Sequence, residues 1–235
     1  MKGSKTKITT TLLFIIIFNT CFAQFKKEKN LKYIIPAGLM TGGLLLVNSN
    51  INNKTKSYFK TNFKNWQSKL DDYIQYIPIA ELYTANLLNI KARHNALDQT
   101  KILLISELIT SGICHTIKAT ANITRPDGNK FSFPSGHTSQ AFVCAHVLYN
   151  EYKDYNITLA YSGYLFATST GIYRMINNRH WLSDVLFGAG LSFLVVNLTY
   201  KFKHLFINDN KNKMNLTILP SIGFNNLSLN LGLKF

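Results

Sequence analysis

Residues 131–142 read FSFPSGHTSQAF, and the turn at Pro134-Ser135-Gly136-His137 opens a helix. The first turn of a helix leaves backbone N–H groups unpaired at the positive end of its dipole, which makes a ready anion site. Ser135 and Gly136 can offer such N–H groups, and Gly136 has no side chain to keep an anion away. A histidine beside that site can move protons near neutral pH. These four residues name an anion and a proton carrier, but neither the ligand nor the reaction.

The flanking sequence narrows both. Upstream, Lys118 to Pro126 reads KATANITRP, in the pattern K-x6-R-P; downstream, YRMINNRHWLSD carries Arg174-x5-His180-x3-Asp184. Lys118, Arg125 and Arg174 fall at separate helix ends, so they meet only if a bundle brings those ends together. Three cations match the three non-bridging oxygens of a phosphoryl group, and arginine adds bidentate geometry. His180 and Asp184 are one helical turn apart, so Asp184 can fix the tautomer of His180 and support a positive charge on it. A histidine held in that way can act as a nucleophile. Taken singly, Lys118 and Arg125 read as solvated helix-end charges. His180 then reads as a packed imidazole, with Asp184 capping the next helix. The three blocks together favour a phosphate pocket.

The set resembles the signature of the type 2 phosphatidic acid phosphatase (PAP2) superfamily, which also contains bacterial acid phosphatases and vanadium haloperoxidases. That signature is K-x6-R-P, then P-S-G-H, then S-R-x5-H-x3-D. Every position matches except the serine before Arg174, which is Tyr173 here. RPDG, SFPSGHT and NNRHWLSDVLFGAG are most similar to exported lipid phosphatases of the superfamily, including those acting on lipid A. The resemblance implies an all-α bundle and a phosphatase that uses neither metal nor cofactor. In it His180 attacks phosphorus, His137 protonates the leaving oxygen, and Lys118, Arg125, Ser135, Gly136 and Arg174 bind the phosphate. Tyr173 puts one phosphate contact of the family in question.

The rest of the 235-residue chain is consistent with this. MKGSKTK followed by ITTTLLFIIIFNTCFA has the layout of a secretory signal peptide cleaved after Ala23, with an uncleaved anchor as the alternative. Apolar stretches recur at about 33–48, 78–91, 100–118, 137–150, 157–174 and 183–202, which predicts six core helices. Residues 51–77 are amphipathic, with Phe59, Phe63, Trp66, Leu70 and Tyr73 at helical spacings. Residues 226–235, NLSLNLGLKF, alternate as a strand does and predict a C-terminal β-hairpin with MNLTIL at 214–219, turning at Pro220–Gly223. The expected organisation is a leader over 1–23, a phosphatase domain over 24–204 and a tail over 205–235. Cys114 and Cys144 sit in apolar runs without metal-ligand spacing and read as buried free thiols.

Twenty-six Lys and Arg stand against 11 Asp and Glu, a formal net charge of +15. A basic exported chain suits anionic headgroups or phosphorylated substrates; no nucleic-acid recognition motif appears. The expected partners are a phosphorylated lipid and the membrane surface, with the site facing the periplasm. Mean hydropathy of +0.01 is low for a chain that spans six times, and the number of spans stays open. Within enzymes the alternatives are a soluble acid phosphatase and, more remotely, a vanadate haloperoxidase; outside them, an envelope scaffold.

Overall fold

The computed structural model describes residues 31–64, 66, 68–207, 215–223 and 226–234. The leader expected over 1–23 lies outside the described residues. After a 3-10 turn at Leu31–Tyr33 come α1 (Ile34–Leu46), α2 (Asn50–Asn62), the single turn α3 (Leu70–Ile74) and α4 (Ile77–Leu87). Then follow α5 (Ala96–Ala121), α6 (Gly136–Tyr152), α7 (Ile157–Ile176) and α8 (Leu182–Lys201). The six expected core helices are α1 and α4 to α8.

Local chemistry fixes the ends. Ser49, Asn95, Ser135 and Asn156 each accept a bond from a backbone N–H of the first turn of α2, α5, α6 and α7. α5 stops at Asn122, which adopts the left-handed conformation at φ 45°. Asn48, at φ 59°, lies in the break where α2 turns 86° away from α1.

α6 is buried on nearly every face and forms the centre of the bundle. Helices of the bundle approach one another through glycines. Gly163 of α7 lies on Ala145, Gly188 of α8 lies on Ser135 and Ser139, and Gly43 of α1 lies on Phe187 and Ser183. One apolar cluster (Leu82, Ile102, Val147, Leu148, Val196) fills the far end of the bundle. Another (Cys114, Ile117, Phe133, Phe187, Leu191) lies under the end where α5 and α7 finish and α6 and α8 begin. Cys114 and Cys144 are free and buried.

The amphipathic stretch is not one helix. α2 ends at Asn62 and α3 starts at Leu70, while Trp66, Leu70 and Tyr73 are 45%, 47% and 71% exposed. The chain bends between them because α3 is drawn onto the bundle by an ion pair from Asp71 to Arg174. The tail does form an antiparallel hairpin, β1 (Asn215–Gly223) with β2 (Asn226–Lys234). Its turn lies beyond the expected Pro220–Gly223, since Pro220 pairs with Leu229 inside the ladder. A two-stranded ribbon has only edge strands, where a missing N–H is tolerated.

Candidate active site

Asp184 organises the buried half of the site. It is fully buried, and its Oδ2 accepts from His180 Nδ1–H at 3.0 Å and from the Trp181 N–H at 3.0 Å. The Ser132 hydroxyl donates to the same oxygen, and Ser183 Oγ–H donates to Oδ1 at 3.2 Å. The Asp184 main-chain carbonyl accepts from Ser135 N–H at 3.1 Å. The start of α8 is thereby stitched to the start of α6. Asn52 of α2 completes the clasp, bonding both the amide and the hydroxyl of Ser183 at 3.1 and 2.9 Å.

The Ser135 amide is thus already taken. Ser135, expected to bind phosphate, here caps α6, and its N–H ties that helix to the Asp184 carbonyl. The Gly136 N–H has no acceptor among the described residues, and a Cβ there would meet open space.

The three cations gather at this end. Lys118, in the last turn of α5, donates to the carbonyls of Phe131 and Ser132 at 2.9 and 3.1 Å. Arg125 sits in a turn closed by Gly128 N–H to its carbonyl at 3.0 Å. Its positive charge is disfavoured first by burial and next by Arg174. Nε of Arg125 and Nε of Arg174 are buried without a partner among the described residues. Two guanidinium groups crowded together with unused buried donors leave a deficit that an anion would fill.

The two imidazoles both feel Arg174. His180 is 2% exposed, and burial, against the opposing pull of Asp184, lowers its pKa to about 4. It is therefore neutral at pH 7, with Nδ1 committed and Nε2 unbonded among the described residues. It forms the floor of a narrow crevice between α2 and the loop after α7, walled by Asn52, Phe59 and Asn178. His137 lies in the first turn of α6 and lines, with Arg174 and Asn178, a cavity of about 740 Å³. Burial and then Arg174 lower its pKa.

The structure adds residues that no motif marks. Asp71 is buried and accepts from Arg174 Nη1 at 2.6 Å and from Asn177 Nδ2 at 3.0 Å. Asp72 accepts from His137 Nε2–H at 3.0 Å. Lys60, Lys64 and Lys69 line the cavity, as does Arg179, which pairs with Asp127 at 3.3 Å. Tyr173 stacks on Trp66 at 6.2 Å and does not line the cavity, so it does not stand in for the missing serine. His94 and His146 are structural, held by Glu151 and by Tyr164 with Asn197.

Residues 99–207 match the family model of the PAP2 superfamily. The chain is 31% identical over 169 residues to the Lipid A 1-phosphatase of Porphyromonas gingivalis, covering 70% of this chain. It spans only 37% of that relative's length. Among solved structures it is similar to LpxE of Aquifex aeolicus, with a TM-score of 0.46 and 21% identity over 62% of this chain and 94% of that one. A transmembrane PAP2 type phosphatidylglycerolphosphate phosphatase from Bacillus subtilis gives 0.48 and 20% identity, over 74% and 98%. With all three motif blocks, Lys118 to Asp184, inside the matched residues 99–207, the chain belongs to the PAP2 superfamily.

Proposed function

We propose that the protein is a lipid phosphate phosphatase that works through a phosphohistidine. The observation that carries this is one oriented, neutral imidazole, His180 on Asp184, that feels the charges of Lys118 and Arg174, while the Nε donors of Arg125 and Arg174 lie buried without a partner among the described residues. His180 Nε2 attacks phosphorus, and the bond to the lipid oxygen breaks as His137 gives that oxygen its proton. Water then attacks the phosphohistidine, passes its proton to His137, and the P–N bond breaks to release phosphate. Lys118, Arg125, Arg174 and the Gly136 amide hold the equatorial oxygens. Each such contact is worth about 3 kcal/mol of barrier, so the cations supply the charge neutralisation the step requires.

A membrane-bound substrate is supported by the surface. α5 is long and apolar enough to cross a bilayer, yet only 28% of its most apolar window is buried. Leu104, Leu108 and Ile109 on α5, with Tyr161, Leu165 and Ile172 on α7, stand exposed, as lipid-facing side chains do. α1, at 13 residues, is only about 20 Å long and too short to span alone. α2, turned 86° from α1, then lies in the plane of the headgroups. Residues 49–70 hold Lys54, Lys56, Lys60, Lys64 and Lys69 without one carboxylate, interleaved with Tyr58, Phe59, Phe63 and Trp66, the composition of an interfacial segment.

The bundle end opposite the site joins the basic loop after α4 to the end of α8, with Lys203 Nζ 2.8 Å from His94 Nε2. By the positive-inside rule that end is cytoplasmic and the site faces the periplasm. Phosphate release without added metal from phosphatidic acid, phosphatidylglycerol phosphate, undecaprenyl pyrophosphate and lipid A, against p-nitrophenyl phosphate, tests the proposal. Lipid esters should be preferred. Equal turnover of the soluble ester by a protein that leaves membranes in carbonate would replace it with a soluble acid phosphatase.

A further inference from the structure

α3 brings two carboxylates to the site, and they engage different partners. Asp71 is spoken for by Arg174 and Asn177. Asp72, about half exposed on the cavity wall, bonds His137 Nε2 at 3.0 Å and lies 3.6 Å from Arg174 Nη1. Its own place is fixed by the turn of α3, through its N–H to the Lys69 carbonyl at 3.0 Å and its carbonyl to Gln75 Nε2 at 2.9 Å.

We propose that Asp72 is a positioning residue for the reaction, holding His137 through Nε2 as Asp184 holds His180 through Nδ1. The site then carries two histidine–carboxylate pairs, one for each imidazole. This rests on the phosphatase reading and assigns the control of its proton carrier.

The chemistry demands such a group. His137 must be protonated when the lipid oxygen leaves, since an alkoxide is a poor leaving group, and must take a proton back from water in the second step. The ionisable groups facing it are Asp71 and Asp72 from α3 and Arg174 from α7. Arg174 and burial both work against the imidazolium, while Asp72 and then Asp71 favour it. Among the described residues Asp72 is the carboxylate that bonds the ring directly. Through the two steps the proton that comes and goes is the one on His137. Nδ1 of His137 has no partner among the described residues, so each imidazole keeps one nitrogen unbonded.

The test compares wild type, Asp72→Asn and Asp72→Glu in detergent. The His137 ring is titrated by NMR, and kcat/KM is measured across pH for phosphatidic acid and for p-nitrophenyl phosphate. In Asp72→Asn the His137 inflection should fall by about one pH unit, as loss of an adjacent opposite charge implies. Phosphatidic acid turnover at pH 7.5 should fall about tenfold and recover below pH 5.5. p-Nitrophenyl phosphate, whose leaving group needs no proton, should lose less than threefold, and Asp72→Glu should retain most of both. An unmoved His137 inflection would overturn the proposal. So would an Asp72→Asn enzyme faster at every pH, which would mark Asp72 as a block on the site. If the wild type releases phosphate from no ester, the phosphatase reading fails instead, and the NMR titration still decides the pairing.

Discussion

At the residue scale, the site is a set of groups whose proton states are set by neighbours. His180 should be indispensable. His180→Ala is expected to reduce phosphate release to background and to abolish acid-labile labelling of the protein by a 32P-substrate, because no other described imidazole joins Asp184. His180 also ties stability to pH. Its folded pKa of about 4 lies below the ordinary imidazole value of about 6.5. Between those values the unfolded chain binds a proton that the native protein refuses. Its contribution is therefore complete above about pH 6.5 and is lost as the pH falls towards 4. Thermal melts of the wild type should drop between pH 7 and 5, and His180→Asn should flatten part of that drop. Ser132→Ala removes one donor from a buried carboxylate. It should cost about 1–3 kcal/mol in stability, read as a lower midpoint in a denaturant titration.

At the scale of the element, α2 has two jobs. Its buried face carries Asn52, which holds the first residues of α8 through Ser183. Asn52→Ala should lower kcat on every ester alike, because the His180–Asp184 pair sits on that turn. It also carries lysines and aromatics, which under the proposed function meet the headgroups. Replacing Lys54, Lys56 and Lys60 together by Gln should weaken binding to phosphatidylglycerol vesicles about a hundredfold at low salt, at about 1 kcal/mol per lysine. Flotation assays at rising salt should show the wild type converging on the variant. Unchanged flotation would mean that the apolar faces of α5 and α7 alone carry the association.

At the scale of the whole molecule, close helix approach is what brings four helix ends, those of α5 and α7 and the starts of α6 and α8, to one end of the bundle. A Cβ on Gly43 would lie 2.8 Å from both Cβ and N of Phe187. A Cβ on Gly188 would lie 2.8 Å from Ser139 Oγ and 3.0 Å from the Ser135 carbonyl. Gly43→Ala should destabilise by about 1–3 kcal/mol, seen as a lower melting temperature with near-normal kcat in the folded fraction. Gly188→Ala should differ in kind. It pushes the start of α6, with Gly136 and His137, away from α8, with His180 and Asp184, so turnover should fall more than stability. The bundle thus transmits a packing change in α8 straight to the candidate site.

The amino-acid order by itself determined the six core helices, the anion-binding start of α6 and the His180–Asp184 pair, because each is a local property: a periodicity, a cap, or two residues one turn apart. It also named Lys118, Arg125 and Arg174, since their types and internal spacings suit a tetrahedral anion. Only the tertiary structure decided which groups finish the site. Asp71 meets Arg174 across 103 positions, Ser132 meets Asp184 across 52, and Asn52 meets Ser183 across 131. No spacing rule reaches that far. The same packing ties the Ser135 amide to the Asp184 carbonyl. Local geometry chose the chemistry, and long-range packing chose its partners, since a buried polar group takes whichever partner the fold sets beside it.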